Sequence, residues 1–191
     1  IQTKDGGTTW NVLEFPETPG FQYWKYGMTL NAQGDSIIIY GHQLFMSDLS
    51  FSDITPRDAL YNGTTLNFTK LYVSPAGFWF GKNNSDGNIY FSSNKGKTWE
   101  PFALNEHLGT YDSWADFKFL DDQTGFAASR GGKIYKTMDG GTTWGLFYSQ
   151  ESYNFNEINP ISEDTLVVTC TSNIIKTTDG GATWTSSTHF D

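Results

Sequence analysis

Thr137-Met138-Asp139-Gly140-Gly141-Thr142-Thr143-Trp144 is one of four near copies of a single octapeptide. The others are Thr3-Lys4-Asp5-Gly6-Gly7-Thr8-Thr9-Trp10, Ser92-Ser93-Asn94-Lys95-Gly96-Lys97-Thr98-Trp99 and Thr177-Thr178-Asp179-Gly180-Gly181-Ala182-Thr183-Trp184. Trp99, Trp144 and Trp184 are separated by 45 and 40 residues, and the 89 residues between Trp10 and Trp99 leave room for two units. Midway through that gap, Leu44-Phe45-Met46-Ser47-Asp48-Leu49-Ser50-Phe51 keeps the strand, the serine and a closing aromatic but has no glycine, and reads as a degenerate copy. Self-similarity at this period marks a solenoid, a propeller or an array and decides the fold before any single residue is weighed.

Each clear copy follows a short apolar run, Asn88-Ile89-Tyr90-Phe91, Lys133-Ile134-Tyr135-Lys136 or Asn173-Ile174-Ile175-Lys176, and precedes further β-prone residues. That is a hairpin: Thr, Ser and Asp oxygens accept hydrogen bonds from turn amides, glycine supplies positive φ, and β-branched and aromatic residues suit the flanking strands. The Trp at a fixed place after the turn covers the hairpin with a large apolar ring. Upstream, the order of apolar run, turn, apolar run, turn recurs, as in Ala115–Leu120, Asp121–Thr124, Gly125–Ser129 and Arg130–Gly132.

Four short strands in about 40 to 45 residues make one propeller blade. The expected fold is an all-β propeller of four-stranded antiparallel blades, with the hairpin turn between third and fourth strands. The expected blades are residues 1–14 (a half), 15–55, 56–103, 104–148 and 149–191. An open arc exposes two sheet edges, so the chain is expected to be part of a larger propeller, completed by more of its own chain or by a partner subunit.

The pattern Ser/Thr-x-Asp-x-Gly-x-Thr-Trp resembles the Asp-box, or BNR repeat. The resemblance covers nearly the whole chain, with Asn94 standing in for Asp in one copy and no glycine in the copy near Ser47. It implies structural roles for Asp5, Trp10, Asn94, Trp99, Asp139, Trp144, Asp179 and Trp184 in holding turns on the outer side of each blade. Asp-box propellers include sialidases, xyloglucan hydrolases, sorting receptors, photosystem assembly factors and secreted bacterial proteins, so the repeat carries a fold and not an activity. The repeats are similar to those of secreted and surface proteins of Gram-negative Bacteroidetes exported by the type IX system. The location this implies is the outer-membrane exterior or the periplasm.

The net charge of −9 argues against nucleic acid, which needs clustered Lys and Arg. No run of about 20 apolar residues implies membrane insertion. Cys170, the one cysteine, has no disulfide partner in the chain and sits in an apolar run, where it reads as a small hydrophobe. His42, His107 and His189 show no metal-ligand spacing, and no cofactor motif is present, so neither a metal nor a cofactor is expected.

Catalysis has weak candidates. The sialidase resemblance implies three arginines on a substrate carboxylate, and the chain holds two, Arg57 and Arg130. An inverting glycosidase needs two carboxylates about 6.5 to 9.5 Å apart, for which Asp112, Asp116 and Glu157 are candidates at the starts of first strands. Binding fits better: Trp24 and Trp114, with Tyr23, Asp112 and Asn156, fall at or near starts of first strands, where aromatic rings beside polar groups suit sugars or peptides. The expected function is a non-catalytic recognition or scaffold module for glycan or protein. The alternatives are a piece of a xyloglucanase-like hydrolase, or a secretion cargo or assembly factor making only protein contacts.

Overall fold

The computed structural model describes residues 5, 7–9, 25–30, 34, 36–41, 43–48, 55–74, 76–109 and 112–187. Four four-stranded antiparallel sheets follow one another along the chain. The first contains β1 (Lys25–Leu30), β2 (Ser36–Gly41), β3 (Leu44–Asp48) and β4 (Thr55–Arg57). A two-stranded hairpin, β5 (Leu60–Tyr61) and β6 (Thr64–Thr65), turns through Asn62 and Gly63 at φ 48° and 76° and leads to the second sheet. That sheet has β7 (Phe68–Val73), β8 (Trp79–Asn83), β9 (Ile89–Ser92) and β10 (Glu100–Pro101). A single turn of 3-10 helix, Ala103–His107, precedes the third sheet, β11 (Trp114–Phe119), β12 (Gly125–Ser129), β13 (Lys133–Thr137) and β14 (Gly145–Ser149). The fourth contains β15 (Phe155–Pro160), β16 (Leu166–Cys170), β17 (Ile174–Thr177) and β18 (Thr185–Ser187). These are propeller blades: β1 packs on β7 and β11 on β15, so first strands adjoin along the inside and fourth strands lie outermost.

The core lies between blades, because side chains alternate across each sheet. On the third blade, Phe117, Ala127 and Tyr135 face the second blade and join Phe80, Ile89 and Leu104. Their neighbours Phe126, Ala128 and Ile134 point the other way and meet Phe155, Ile158, Leu166 and Val168 of the fourth. Cys170 belongs to that second layer, where burial pushes its thiol above the ordinary range.

The repeated octapeptide forms the turn between third and fourth strands in blades two, three and four. In the third blade the Asp139 carboxylate accepts the Thr143 amide at 2.8 Å and the Thr143 hydroxyl at 2.6 Å. Thr137 Oγ1 donates to Asp139 at 2.8 Å and accepts the Gly141 amide at 2.9 Å, and Trp144 Nε1 donates to the Gly141 carbonyl at 3.0 Å. Asp179 repeats the set with Thr183, Thr177, Gly181 and Trp184. Asp5 clasps the Thr9 amide and hydroxyl in the same way, at 2.9 and 2.6 Å. Asn94 keeps the geometry with its polarity altered: Oδ1 accepts the Thr98 amide at 2.9 Å while Nδ2 donates to the Thr98 hydroxyl at 2.7 Å. Trp10 and the turn at 49–54 of the degenerate copy lie outside the described residues.

These clasps make the turns sensitive to acid. Hydrogen bonds from Thr183 hold the Asp179 carboxyl down at about 2, and those from Thr143 lower Asp139. A carboxyl with a depressed folded-state pKa contributes stability that is whole above the unfolded value, about 3.9, and is lost as pH falls through the folded one. The D139A/D179A variant is therefore expected to melt below the parent protein at pH 6 and to close most of that gap by pH 2. A gap of constant size across thermal melts from pH 6 to pH 2 would refute the carboxylate clasp.

Candidate functional site

Every first strand is irregular at the same place: pairing shifts between Lys25 and Gly27, Phe68 and Lys70, Trp114 and Asp116, and Phe155 and Glu157. A bulge re-aims the side chain that follows it, and here the shared register makes Gly27, Lys70, Asp116 and Glu157 equivalent. Lys70 forms an ion pair with Asp116, whose side chain is 1% exposed. The Asp116 carboxylate also accepts its neighbour's amide, Phe117 N–H, at 2.7 Å, and from the fourth blade Ile158 N–H at 3.2 Å. One residue pair further on, Lys118 Nζ donates to Asn159 Oδ1 at 2.5 Å. Asp116 thus ties the inner strands of three successive blades together.

At the end of the blades where first strands begin, a cleft of about 440 Å³ opens between the second and third blades. Its lining is Thr69, Lys82, Asn83 to Gly87, Ser113 and Arg130. The β8–β9 turn is shaped from within: Asn83 Oδ1 accepts the Asn67 amide at 2.9 Å, while Asp86 accepts Asn83 Nδ2 at 2.9 Å, the Asn88 amide at 3.0 Å and the Tyr90 hydroxyl at 2.8 Å. Burial and that carboxylate push the Tyr90 phenol up to about 12. Across the cleft, Asp112 Oδ1 accepts the Ser113 amide at 2.8 Å and the Gly131 amide at 2.7 Å, which fixes the β12–β13 turn that carries Arg130. Lys82 is half-buried and Arg130 exposed; burial first and the Arg130 charge second pull the Lys82 ammonium below the ordinary lysine range, offset in part by Asp116. Among the described residues no hydrogen bond or ion pair engages the Lys82 ammonium or the Arg130 guanidinium.

The corresponding end of the fourth blade carries a second cleft, about 420 Å³, lined by Ser152 to Asn154 and Cys170 to Asn173. At the opposite end, beside the repeated turn of the third blade, Phe78, Phe91 and Phe102 line a broader groove with Glu100, Asp122 and Asp139 at its edges. Phe78 is 40% exposed, and its ring lies 5.5 Å from that of Phe91.

Of the residues expected to bind ligand, Asp112 and the exposed Asn156 lie at the cleft-bearing end, Asp112 engaged with turn amides. Tyr23 and Trp24 lie outside the described residues. Trp114 corrects the sequence reading: its side chain is fully buried, its Nε1 donates to Asn105 Oδ1 at 3.1 Å and its ring meets Tyr135 at 5.7 Å, so it packs between blades and presents no surface to a ligand. The polar residues before it in sequence belong to the loop, and the indole points inward from the strand position before the bulge. Lys82 escaped sequence reading because nothing local marks it, although it occupies the register position taken by Tyr40, Ala128 and Thr169 in the other blades. Among the described residues, no group of His, Cys, Asp and Glu is arranged to hold a metal ion, and no helix is long and apolar enough to cross a membrane.

No protein-family model and no curated protein sequence matches the chain. Solved structures do match, and these neighbours are β-propeller proteins. YCF48 bound to D1 peptide superposes with a TM-score of 0.70 at 18% identity over 96% of this chain and 59% of its own. The extracellular domain of BT4673 from B. thetaiotaomicron, a candidate one-component system, gives 0.69 at 14% over 93% of this chain and 24% of its own. The GH74 enzyme of Niastella koreensis gives 0.61 at 21% over 85% and 30%. The chain is a β-propeller protein, and it spans little more than half of the first of these neighbours.

Proposed function

We propose that the chain is a recognition module of Asp-box type that holds a polar ligand, glycan or protein, at the end of the blades where first strands begin, and that it does no chemistry on it. One contrast supports this reading: Asp86, Asp112 and Asp116 are consumed in structural bonds, while among the described residues nothing engages the side chains of Lys82, Asn84, Ser85 and Arg130, which lie in a cleft. A glycosidase needs one carboxyl to give a proton and another to activate water or attack the sugar. Of the three candidate carboxylates, Asp112 and Asp116 instead accept backbone amides and Asp116 is shut away from solvent, which leaves the exposed Glu157 without a second carboxyl among the candidates. The module is read as acting outside the cytoplasm of a bacterium, at the cell surface or in the periplasm, with type IX export the route its repeats imply. A structural neighbour that is itself an extracellular domain supports that setting.

Glycan and peptide arrays probed with the whole chain, beside a reducing-sugar assay on every glycan retained, test this. The expected result is retention without product. Release of new reducing ends would place the chain among hydrolases, and retention of a protein partner alone would make it a scaffold.

A further inference from the structure

Acidic residues outnumber basic ones 21 to 12, so a cation on this surface should find a carboxylate close by. Around Lys82 the reverse holds. Asp86 is bound by Asn83, Asn88 and Tyr90, Asp112 by two turn amides, and Asp116 by Lys70 and two further amides. Lys82 and Arg130 are left facing the same cleft with no ion pair among the described residues, the Asp116 charge offsetting only part of their repulsion. Holding a half-buried ammonium against a like charge is unfavourable, and burial with the Arg130 charge depresses the Lys82 ammonium. An anion placed between them converts that repulsion into two charge-assisted hydrogen bonds, with the flat guanidinium able to grip both oxygens of a carboxylate.

The remaining lining selects the molecule that carries the anion. Thr69, Asn83, Asn84, Ser85, Asp86 and Ser113 offer hydroxyl, amide and carboxylate groups, and among the described residues no aromatic or aliphatic one lines the cleft. Peptide sites rely on apolar pockets for anchoring side chains, and the described lining offers none. Sugar hydroxyls, each both donor and acceptor, match such a wall. We propose that the Lys82–Arg130 cleft is a subsite for the carboxylate of a uronic-acid unit in a glycan ligand. The assignment rests on the recognition reading above and narrows it to acidic glycans.

Calorimetric titration of the whole chain at low ionic strength with tetragalacturonate and with its methyl ester tests the assignment. The acid is expected to bind at least about tenfold more tightly than the ester. K82M and R130Q should each reduce the acid to the affinity of the ester, while K176M on the fourth blade leaves it unchanged. Thermal melts of each variant separate lost binding from lost fold, and Arg130 is exposed, so R130Q has little to disturb in the core. In NMR titrations, saturating acid should move the Lys82 ammonium back toward the ordinary lysine range, which a purely structural role would not produce. Equal affinity for acid and ester overturns the subsite and leaves glycan recognition standing. Preference for hexaglutamate over tetragalacturonate overturns the glycan assignment in favour of an acidic peptide. No binding of acid, ester or peptide overturns the subsite, and silence on the glycan and peptide arrays as well overturns the recognition reading with it.

Discussion

Gly141→Ala is expected to lower stability by about 3 kcal/mol, a fall in Tm of roughly 6–12 °C for a chain of this size. Two independent costs meet at this residue. Its φ of 92° lies in the region that side-chain-bearing residues rarely adopt, and a Cβ built there would stand 2.4 Å from Phe102 Cζ. Phe102 cannot swing aside cheaply, since its ring is wedged 5.0 Å from Phe80, 5.9 Å from Phe91 and 6.1 Å from Trp144. The glycine therefore does more than make a turn: it receives an aromatic ring of the preceding blade. The fourth blade repeats the device, with Gly181 at φ 86° and Phe147 of the third blade 2.8 Å from its would-be Cβ. Gly145→Ala serves as the control, having no positive φ and open space at its Cβ, and should shift stability by no more than about 0.5 kcal/mol. Adding Phe102→Leu to Gly141→Ala should return part of the loss by relieving the contact and leave the φ strain. If Gly141→Ala melts with the parent protein, the turn and the blade contact are both misread.

This double use of glycine shows what sequence could and could not carry. The turn closes within eight residues, from Thr137 to Trp144, so its hydrogen bonds are written in adjacent letters and recur wherever those letters do. Blade topology follows, because four strands joined by short turns have few other ways to pair. The rings beneath Gly141 and Gly181 come from another blade, and no local pattern names Phe102 as the partner of Gly141. The inner strands divide in the same manner. Phe68, Trp114 and Phe155 sit at one register position before the bulge and are all fully buried, so aligning those three strands by their bulges would have assigned Trp114 to the core. Read alone, with Asp112 and Ser113 before it, Trp114 looks like a rim aromatic. The cleft lay beyond reach for a different reason: Lys82 is the penultimate residue of a strand of one blade and Arg130 sits in a turn of the next, and only packing brings them together.

Lys70→Met should cost about 3 kcal/mol, the next largest effect, even though a lysine 27% exposed on the inner strand looks like a surface residue. The loss comes from what stays behind. Asp116 is 1% exposed, and its partner Lys70 is the cation that offsets its charge at close range, Lys118 Nζ standing off at 4.0 Å. An exposed ion pair would be worth far less, because water screens both charges. Neutralising the carboxylate separates the two cases: Asp116→Asn keeps an amide oxygen to accept from Phe117 or Ile158 and removes the buried charge. In the K70M/D116N double variant, at least about half of the Lys70→Met loss should therefore return, a coupling of about 1.5 kcal/mol or more in a double-mutant cycle followed by urea unfolding. Additive losses would mean that Lys70 contributes only the packing of its stem. Coupling of the expected sign would establish the Lys70–Asp116 pair as the joint between three blades, and would explain why the most deeply placed carboxylate at this end of the protein is withheld from any ligand.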